Sequence, residues 1–385
     1  MGKLSELFAN LTPNWFASIM GTGIVATAAV TLPIQFPVLR SAATVIWGVV
    51  FLLLILLTAA TVVHWVRHRE TARSHHNNPV MAHFYGAPPM AMLTVGAATL
   101  LLGKDVIGER LALGIDAGLW ALGTILGLAS AVAVPYVQFT RHNVTAADAF
   151  GGWLMPVVPP MVSASTGALL LPYVPAGQLR LTMLMACYAM FGLSLMASLI
   201  IIPLIWYRLA VHKNLAPSAV PTLWIVLGPL GQSITAANLL GSNAHLAASG
   251  ALASGLEVFG VLYGVPVLGF ALMWAAMAAV ITVRIVRRGL PFSLTWWSFT
   301  FPLGTCVTGL NGLAAHTHLA VFGAMAVAGY ILLLGAWAVV AARTFHGSVV
   351  KGVLFQAPTG PAPAVPAGAA PVGASPSTVS RAAAA

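Results

Sequence analysis

Residues able to bind a small ligand recur beside Gly- and Pro-rich clusters inside otherwise apolar segments. The clusters are MGTG at 20–23, GAPP at 86–89, MPVVPP at 155–160, GPLG at 228–231 and FPLG at 301–304. Polar side chains on four of these segments are Thr22, Ser163, Ser165, Thr166, Gln232, Ser233, Thr235, Asn238, Thr305, Thr308 and Asn311. Proline removes a backbone hydrogen bond from a helix, so the breaks free backbone groups beside these hydroxyls and amides. Uncharged donors suit an anion that is held weakly enough to leave again.

The clusters repeat at nearly constant spacing. Taking Gly21, Pro88, Pro156, Pro229 and Pro302 as markers, the intervals are 67, 68, 73 and 73 residues, room for two membrane crossings with their turns. Broken helices survive in hydrocarbon only where protein or a water-filled cavity covers the freed backbone. The sequence therefore predicts repeated helical hairpins whose broken members face a shared pore. The predicted pore-lining kinks are Gly21, Gly23, Pro88, Pro156, Pro160, Pro229 and Pro302, and the predicted polar lining is Thr22, Ser163, Gln232, Thr235 and Thr305.

Composition places the chain in a membrane. Of its 385 residues 59% are apolar and 6% charged, too few to coat a soluble domain. Apolar segments near the 20 residues that a helix needs to cross a bilayer lie at 15–32, 41–66, 83–102, 111–134, 150–171, 181–206, 221–241, 256–281, 291–313 and 319–342. The prediction is an all-α integral membrane protein with ten transmembrane helices.

Odd and even segments differ in kind. The second and tenth lack proline and carry bulky aliphatic side chains suited to lipid, whereas the odd segments carry the clusters and most of the polar residues. Odd helices are therefore predicted to line the pore and even helices to surround it. The alternative is that the prolines only shape helix packing; Pro203 and Pro266 on even segments show that proline alone is not diagnostic.

Positive charge sets the predicted orientation. Thirteen Lys and Arg residues fall on the side of the two termini, and four, Arg40, Lys104, Arg110 and Arg180, fall on the other. The positive-inside rule then places both termini in the cytoplasm and explains the net charge of +10 without nucleic-acid binding. The predicted organisation is a cytoplasmic N-terminus at 1–12, a transport domain at 13–345 and a disordered Pro/Ala-rich cytoplasmic tail at 346–385.

The ionisable residues argue against several other functions. The acidic residues Glu6, Glu70, Asp105, Glu109, Asp116, Asp148 and Glu257 all fall in loops or near predicted helix ends, so no intramembrane carboxylate is expected as a proton relay. Histidines cluster at 64–83, and His316 and His318 flank Thr317, but no Cys or carboxylate completes a metal site. We expect no metal, no cofactor and no enzyme activity, since these segments offer no nucleophile and base pair.

The ninth segment carries an aromatic residue at its break, in TWWSFTFPLGT. A ring beside Pro302 can project across a narrow lumen and block it until the ring rotates away. Phe301 is therefore the predicted gate, with Phe299 as the second choice if the register is shifted. The alternative is that Phe301 only fills core space.

These residues resemble the tellurite-resistance/dicarboxylate transporter family, which includes bacterial tellurite-resistance proteins, fungal malate and sulfite transporters and the slow-type anion channels of plant guard cells. The resemblance covers residues 11–345 and rests on PNWFASIMGTGI, NNPVMAHFYGAPPMAM, WLMPVVPPMVSASTGALL, PTLWIVLGPLGQSITA and WWSFTFP. It implies five helical hairpins in quasi-fivefold arrangement around a central pore, a homotrimer with one pore per subunit, and a pore-occluding phenylalanine that corresponds to Phe301.

The resulting functional prediction is channel-like export of sulfite or a related oxyanion across the cell membrane, with a small anion and the lipid bilayer as partners. A secondary carrier of C4-dicarboxylates such as malate, or a tellurite-resistance transporter, is the alternative from the same family.

Overall fold

The computed structural model describes residues 8–213 and 216–355, and its regular structure there is entirely helical. Residues 1–7 and the Pro/Ala-rich sequence from Gln356 onward lie outside the described residues. Ten α-helices of twelve or more residues follow one another: α1 Phe16–Thr31, α2 Pro37–Arg67, α3 Ala87–Ala98, α4 Glu109–Thr140, α5 Pro159–Leu170, α6 Gln178–Val211, α7 Leu227–Asn243, α8 Gly250–Val286, α9 Phe301–Thr317 and α10 Ala320–Phe345.

Seven helical stretches of the described chain are long and apolar enough to cross a membrane: Pro37–Arg67, Met81–Ile107, Glu109–Thr140, Gln178–Val211, Pro217–Leu246, Gly250–Val286 and Ala320–Val350. The other three predicted crossings, 15–32, 150–171 and 291–313, correspond to α1, α5 and α9. These helices have 16, 12 and 17 residues. At 1.5 Å per residue each is shorter than a hydrocarbon core of about 30 Å.

Each odd-numbered helix follows a 3₁₀ segment in the chain. The five segments are Pro13–Trp15, Met81–Gly86, Gly151–Leu154, Pro217–Val226 and Leu294–Phe299. Pro88, Pro160 and Pro302 occupy the second position of the α-helix that follows. Proline is favoured in a first turn because the N–H that it lacks would have no intrahelical partner there. These prolines therefore mark junctions between 3₁₀ and α-helix and do not kink a continuous α-helix.

Gly21 and Gly23 do not interrupt their helix. Helix α1 runs unbroken through both, so the prediction of a break at these two glycines is wrong. Their role is close packing: a Cβ at Gly21 would collide with Thr300 and Trp297, and one at Gly23 would lie 2.8 Å from the Thr94 methyl group. A helix tolerates glycine at a cost of about 1 kcal/mol, which the approach of neighbouring elements offsets here.

The odd-numbered helices contact one another in a closed circuit. Helix α1 contacts α3, α3 contacts α5, α5 contacts α7, α7 contacts α9, and α9 returns to α1. Each even-numbered helix packs on the odd-numbered helix before it. In the most apolar part of Pro217–Leu246, 89% of residues are buried, against 17% in Pro37–Arg67. The odd helices are thus the inner layer.

The outer faces of the even-numbered helices are apolar. Exposed residues there include Val45, Leu52, Leu56, Leu122, Ile125, Leu199, Ile200, Leu262, Leu272, Ile331 and Leu332. A soluble protein rarely exposes so large an apolar surface, whereas lipid acyl chains cover such a surface without cost. The even helices therefore form the surface suited to the bilayer.

The two ends of the described chain meet. Residues 346–355, assigned to the disordered tail from the sequence, form the π-helix His346–Val350 and the 3₁₀ turn Val353–Phe355. The Phe355 ring stacks on Trp15 at 4.8 Å, and Asn10 donates its amide hydrogen to the Phe355 carbonyl oxygen at 3.2 Å. These contacts hold both ends of the helical domain on one side of the molecule.

Gly86→Ala tests the packing of the inner junctions. A Cβ at Gly86 would overlap the backbone carbonyl of Met155, which cannot rotate away, so we expect destabilisation of about 1–3 kcal/mol or more. Thermal unfolding in detergent measures it. Gly269→Ala in α8, where a Cβ would meet open space, is the matched control and should not lower the midpoint. Equal midpoints for the two variants would contradict the packing.

Candidate functional site: a central cavity

A cavity of about 330 Å³ lies inside the circuit of odd-numbered helices. Its lining residues come from α1, α3, α5, α7 and α9, together with Leu101 in the turn that follows α3. The polar members are Thr27, Thr31, Thr94, Ser165, Thr166, Gln232, Thr235, Asn238, Ser242, Thr308, Asn311 and His316. Each inner helix contributes at least one hydroxyl or amide, and apolar residues such as Ile24, Val162 and Leu169 make up the rest of the lining.

The cavity is uncharged apart from one titratable group. Among the lining residues of the described chain none is Asp, Glu, Lys or Arg, and His316 alone can gain a charge. Most of the lining hydroxyls donate to carbonyl oxygens of their own helices, as Thr94 does to Met90 and Thr166 to Val162, so an anion must compete with these bonds for a donor. Such a lining holds an anion weakly and has no fixed countercharge that would trap it.

Hydrogen bonds between helices hold the polar lining in place. The Gln232 amide on α7 donates to the Ser165 hydroxyl on α5. The Thr235 and Thr308 hydroxyls pair at 2.7 Å between α7 and α9. The Asn311 amide on α9 donates to Thr31 Oγ1 on α1 at 3.0 Å. These bonds fix side-chain orientation before any ligand enters, which reduces the reorganisation that binding requires.

Phe301 and His316 mark the two ends of the cavity along α9. Phe301 is the first residue of α9, is 2% exposed and lines the cavity. His316, fifteen residues later, lies about 22 Å away along the helix axis at 1.5 Å per residue. The Phe301 end is held by Thr300, whose hydroxyl donates to the Trp297 carbonyl oxygen at 2.7 Å, and by the contact of Trp297 with Gly21.

Phe299 lies elsewhere. Its ring packs edge-on against Trp224 and Trp296, with centroids 5.7 and 5.8 Å apart. It lines a separate groove with residues of α8, α9 and α10, and it is not among the residues that line the central cavity. Of the two phenylalanines proposed from the sequence, the structure therefore places only Phe301 in the cavity.

The five predicted polar residues divide between cavity and packing. Gln232 and Thr235 line the cavity. Thr22 instead accepts a hydrogen bond from Trp337 Nε1 at 3.2 Å, and the Thr305 hydroxyl donates to the Pro302 carbonyl oxygen at 2.7 Å. Ser163 is fully buried, and its carbonyl oxygen accepts from Trp120 Nε1 at 2.9 Å. Ser163 and Thr305 therefore face packed helices, whereas Thr22 lines a separate groove between α1, α2 and α10.

Helical spacing in the sequence distinguishes the polar residues that line the cavity from those that do not. The lining positions follow helical spacing: 24, 27 and 31 on α1, 162, 165, 166 and 169 on α5, and 308, 311, 312 and 315 on α9. Residues three and four apart share one helix face. Choosing polar residues by this spacing favours Thr27, Ser165 and Thr308, and it rejects Thr22 and Thr305.

None of the predicted kink residues lines the cavity. Gly21, Gly23, Pro88, Pro156, Pro160, Pro229 and Pro302 are all missing from the lining. Most of them lie in or next to the first turn of an inner helix, where neighbouring segments pack closely. The cavity is lined instead by the faces of the inner helices beyond their first turns. These glycines and prolines therefore act on the site only through the packing of the segments around it.

Asp116 departs from the expectation that acidic residues stay in loops or near helix ends. It is the eighth residue of α4, is 0% exposed, and neither of its carboxyl oxygens has a hydrogen-bond partner among the described residues. It faces Gly96, where an added Cβ would lie 2.6 Å from Asp116 Oδ1. The expectation is wrong for Asp116 because the missing side chain of Gly96 leaves room for a carboxyl group behind the inner layer.

The histidine cluster lies at the end of α2 and in the short helix Arg69–Asn77. The His64 ring is 5.5 Å from that of His75, and His76 stacks on Tyr85 at 4.1 Å. Burial, together with the neighbouring His64 and His76, lowers the pKa of His75 to about 4, so this ring is neutral at physiological pH. Among the described residues no group of three or more His, Cys, Asp or Glu side chains is arranged to hold a metal ion.

Comparison with known proteins gives a consistent set of relatives. The family model described as voltage-dependent anion channel (SLAC1) matches residues 10–345. An uncharacterized transporter of Methanocaldococcus jannaschii is 27% identical over 353 residues, covering 90% of this chain and 97% of the relative. The sulfite efflux pump SSU1 of Trichophyton rubrum is 27% identical over 349 residues, 89% of this chain and 92% of the relative. The malic acid transport protein of Schizosaccharomyces pombe is 22% identical over 318 residues, 78% and 69% respectively.

Asp116→Asn should remove a loss of stability that the wild-type protein shows in detergent as the pH rises. Ionisation of a buried, unpaired carboxyl group is penalised by about 1–3 kcal/mol or more, whereas the amide has nearly the same shape and no charged form. Asp105→Asn is the control, since Asp105 makes an exposed ion pair with Arg40 at 2.5 Å, should change stability by less than about 1 kcal/mol and should keep the pH dependence. The same pH dependence of the unfolding midpoint in wild type and Asp116→Asn would contradict an unpaired buried carboxyl group.

Proposed function

Because the chain belongs to the family of voltage-dependent anion channels, we propose that it passes small anions across a membrane through the central cavity. The observation that carries this proposal is the uncharged, polar lining inside a closed circuit of five buried helices. A cation route would favour acidic rings. A cavity of hydroxyls and amides instead favours a weakly held anion.

In this proposal all ten helices cross the membrane as five hairpins in quasi-fivefold arrangement. Helices α1, α5 and α9 complete their crossings with the 3₁₀ segments before them. The contact circuit supports this arrangement, as does the packing of each even-numbered helix on its odd-numbered predecessor. The segment order 3₁₀, inner α-helix, outer α-helix then occurs five times along the chain.

Phe301 is the gate in this proposal. Its buried ring stands at one end of the cavity, where an apolar side chain excludes water and ions from a narrow passage. Rotation of the ring about χ1 and χ2 opens the passage without moving α9. Pro302 and the Thr300–Trp297 hydrogen bond hold the backbone on which the ring turns.

Sulfite or a related oxyanion is the proposed substrate, and export is the proposed direction. The fungal relatives named as sulfite efflux pumps support this choice. Carriage of a C4-dicarboxylate is the second candidate, supported by the relative named as a malic acid transport protein. Tellurite export is the third and follows only from the wider resemblance.

The proposed setting is the cell membrane, with both termini in the cytoplasm and three subunits per assembly. The Lys and Arg bias supports the orientation, and the meeting of Asn10 with Phe355 supports placing both ends of the domain on one side. The trimer rests on the family resemblance. In this orientation Phe301 lies toward the cytoplasm and His316 toward the exterior.

Phe301→Ala should raise anion flux through reconstituted protein. Removal of the ring opens the apolar end of the cavity, and we expect an increase of about tenfold or more, since 1.4 kcal/mol of barrier already corresponds to that factor. Phe299→Ala is the matched control: it removes a ring of the same size two residues away and outside the cavity. Flux is measured in liposomes with sulfite, nitrate, chloride, malate and tellurite. Unchanged or abolished flux in folded Phe301→Ala would contradict the gate.

Transport measurements in the same liposomes distinguish a channel from a carrier. A channel gives current that scales with the anion gradient and persists without a pH gradient. Uptake of malate that stops when the pH gradient is collapsed would favour the carrier.

A further inference from the structure

We propose that His316 and Ser242 form an anion-binding site at the end of the cavity opposite Phe301, and that protonation of His316 strengthens it. The inference rests on the proposed anion route and adds a binding site at one end of that route. Both residues line the cavity. The ligand class is a small inorganic anion, either a halide or an oxyanion.

Both ring nitrogens of His316 have partners. Nδ1 lies 2.9 Å from the Gly312 carbonyl oxygen on its own helix, and Nε2 lies 2.9 Å from the Ser242 hydroxyl on α7. A carbonyl oxygen only accepts hydrogen bonds, so Nδ1 must carry a hydrogen. In the neutral ring Nε2 is then the acceptor, and Ser242 donates to it. The geometry therefore fixes the tautomer of His316.

Protonation reverses the hydrogen bond between the two residues. With a hydrogen on both nitrogens, Nε2 donates to the Ser242 oxygen, and the Ser242 hydrogen is released. That hydrogen has the Asn238 carbonyl oxygen as an acceptor at 2.9 Å, or an anion in the cavity. An ionised acceptor makes the stronger bond, so an anion competes well for the hydroxyl. The site gains one donor and one positive charge together.

No fixed charge within the lining cancels this change. The other polar lining residues on all five inner helices are hydroxyls and amides. Titratable or charged residues on the surrounding elements are Arg40 paired with Asp105, Lys104, Glu109, Arg110, buried Asp116, Arg180, His245, Glu257 whose Cα lies against Gly241, and His318. None of these lines the cavity. Protonated His316 is thus the only cation that an anion meets within the described cavity.

The position of the pair suits capture of an anion. His316 is the penultimate residue of α9 and is partly exposed, so it is reached from one end of the cavity. Asn311, one and a half turns earlier on α9, lines the cavity next, with its amide nitrogen held by Thr31. An anion that leaves His316 and Ser242 therefore moves onto uncharged groups. The charge is confined to the entry step.

The test measures anion current in excised membrane patches, with chloride and nitrate, because these anions keep their charge across the pH range used. Lowering the pH on the His316 side from about 7.5 to about 5.5 spans the range in which histidine gains its charge. We expect current at low anion concentration to rise roughly fivefold, as one unit charge about 4 Å away in bulk water would produce. Acid on the Phe301 side should have no such effect.

His316→Gln should remove the response to acid. His318→Asn is the matched control, because His318 lies two residues away, outside the cavity, in a left-handed backbone conformation that asparagine tolerates (φ 55°). It should keep the full response. Ser242→Ala keeps the imidazole but lacks the hydroxyl, so it should keep the acid response and need a higher anion concentration for half-maximal current.

Three results would overturn the inference: an acid response that survives in His316→Gln, one that is lost equally in His318→Asn, or one that is equal from both sides of wild-type protein. Comparing acid on the two sides of wild-type protein needs no variant, so it tests the inference even if His316→Gln does not fold. Failure of the proposed function looks different. In that case neither wild type nor Phe301→Ala carries any anion at any pH.

Discussion

The structure depends on one constraint: a helix interrupted inside a bilayer must have its freed backbone groups covered by protein. Each uncovered N–H or C=O in hydrocarbon costs several kcal/mol. All five inner helices follow 3₁₀ segments, and three of them carry proline in the first turn, so backbone groups at these helix starts have no intrahelical partner. The even-numbered helices and the neighbouring inner helices cover these backbone groups. The two-layer arrangement follows from that requirement.

Close packing of the junctions leaves space farther along the inner helices. Gly21 has no side chain and so leaves room for Trp297 and Thr300, and Gly86 lies against the carbonyl of Met155. These contacts draw the helix starts together. Beyond them, small and polar side chains such as Thr27, Thr94 and Ser165 face inward and do not fill the centre. The tight junctions and the cavity are thus two consequences of the same helix ends, with Phe301 at the boundary between them.

Much of this arrangement was predictable from residue type and spacing. Apolar length predicted where the helices lie, and the contrast between odd and even segments predicted which of them are buried. The neighbouring positions of Phe301 and Pro302 predicted a ring at a proline kink, and this ring lines the cavity, as do Gln232 and Thr235. Local sequence suffices for these features because each depends on a single segment and its solvent.

Features that depend on two segments were not predictable in the same way. Thr22 and Thr27 are both threonines on α1, and only the neighbours of that helix decide that Trp337 contacts one while the cavity receives the other. Asp116 is buried because Gly96 on another helix leaves space for it. The prolines were expected to kink helices in mid-span, but the transition from 3₁₀ to α-helix places Pro88, Pro160 and Pro302 in first turns. The differences at Thr22 and Asp116 arise from packing between elements distant in sequence.

Thiol accessibility shows whether the inner helices enclose a water-filled anion path. In protein with Cys187 and Cys306 replaced by alanine, Thr308→Cys places a thiol in the cavity, and Thr22→Cys places one on the opposite side of the inner layer. If the inner helices enclose such a path, a small, charged, water-soluble thiol reagent will modify Thr308→Cys and block its anion flux, while the flux of Thr22→Cys stays unchanged. An unreactive Thr308→Cys, or one that reacts without any loss of flux, would contradict it.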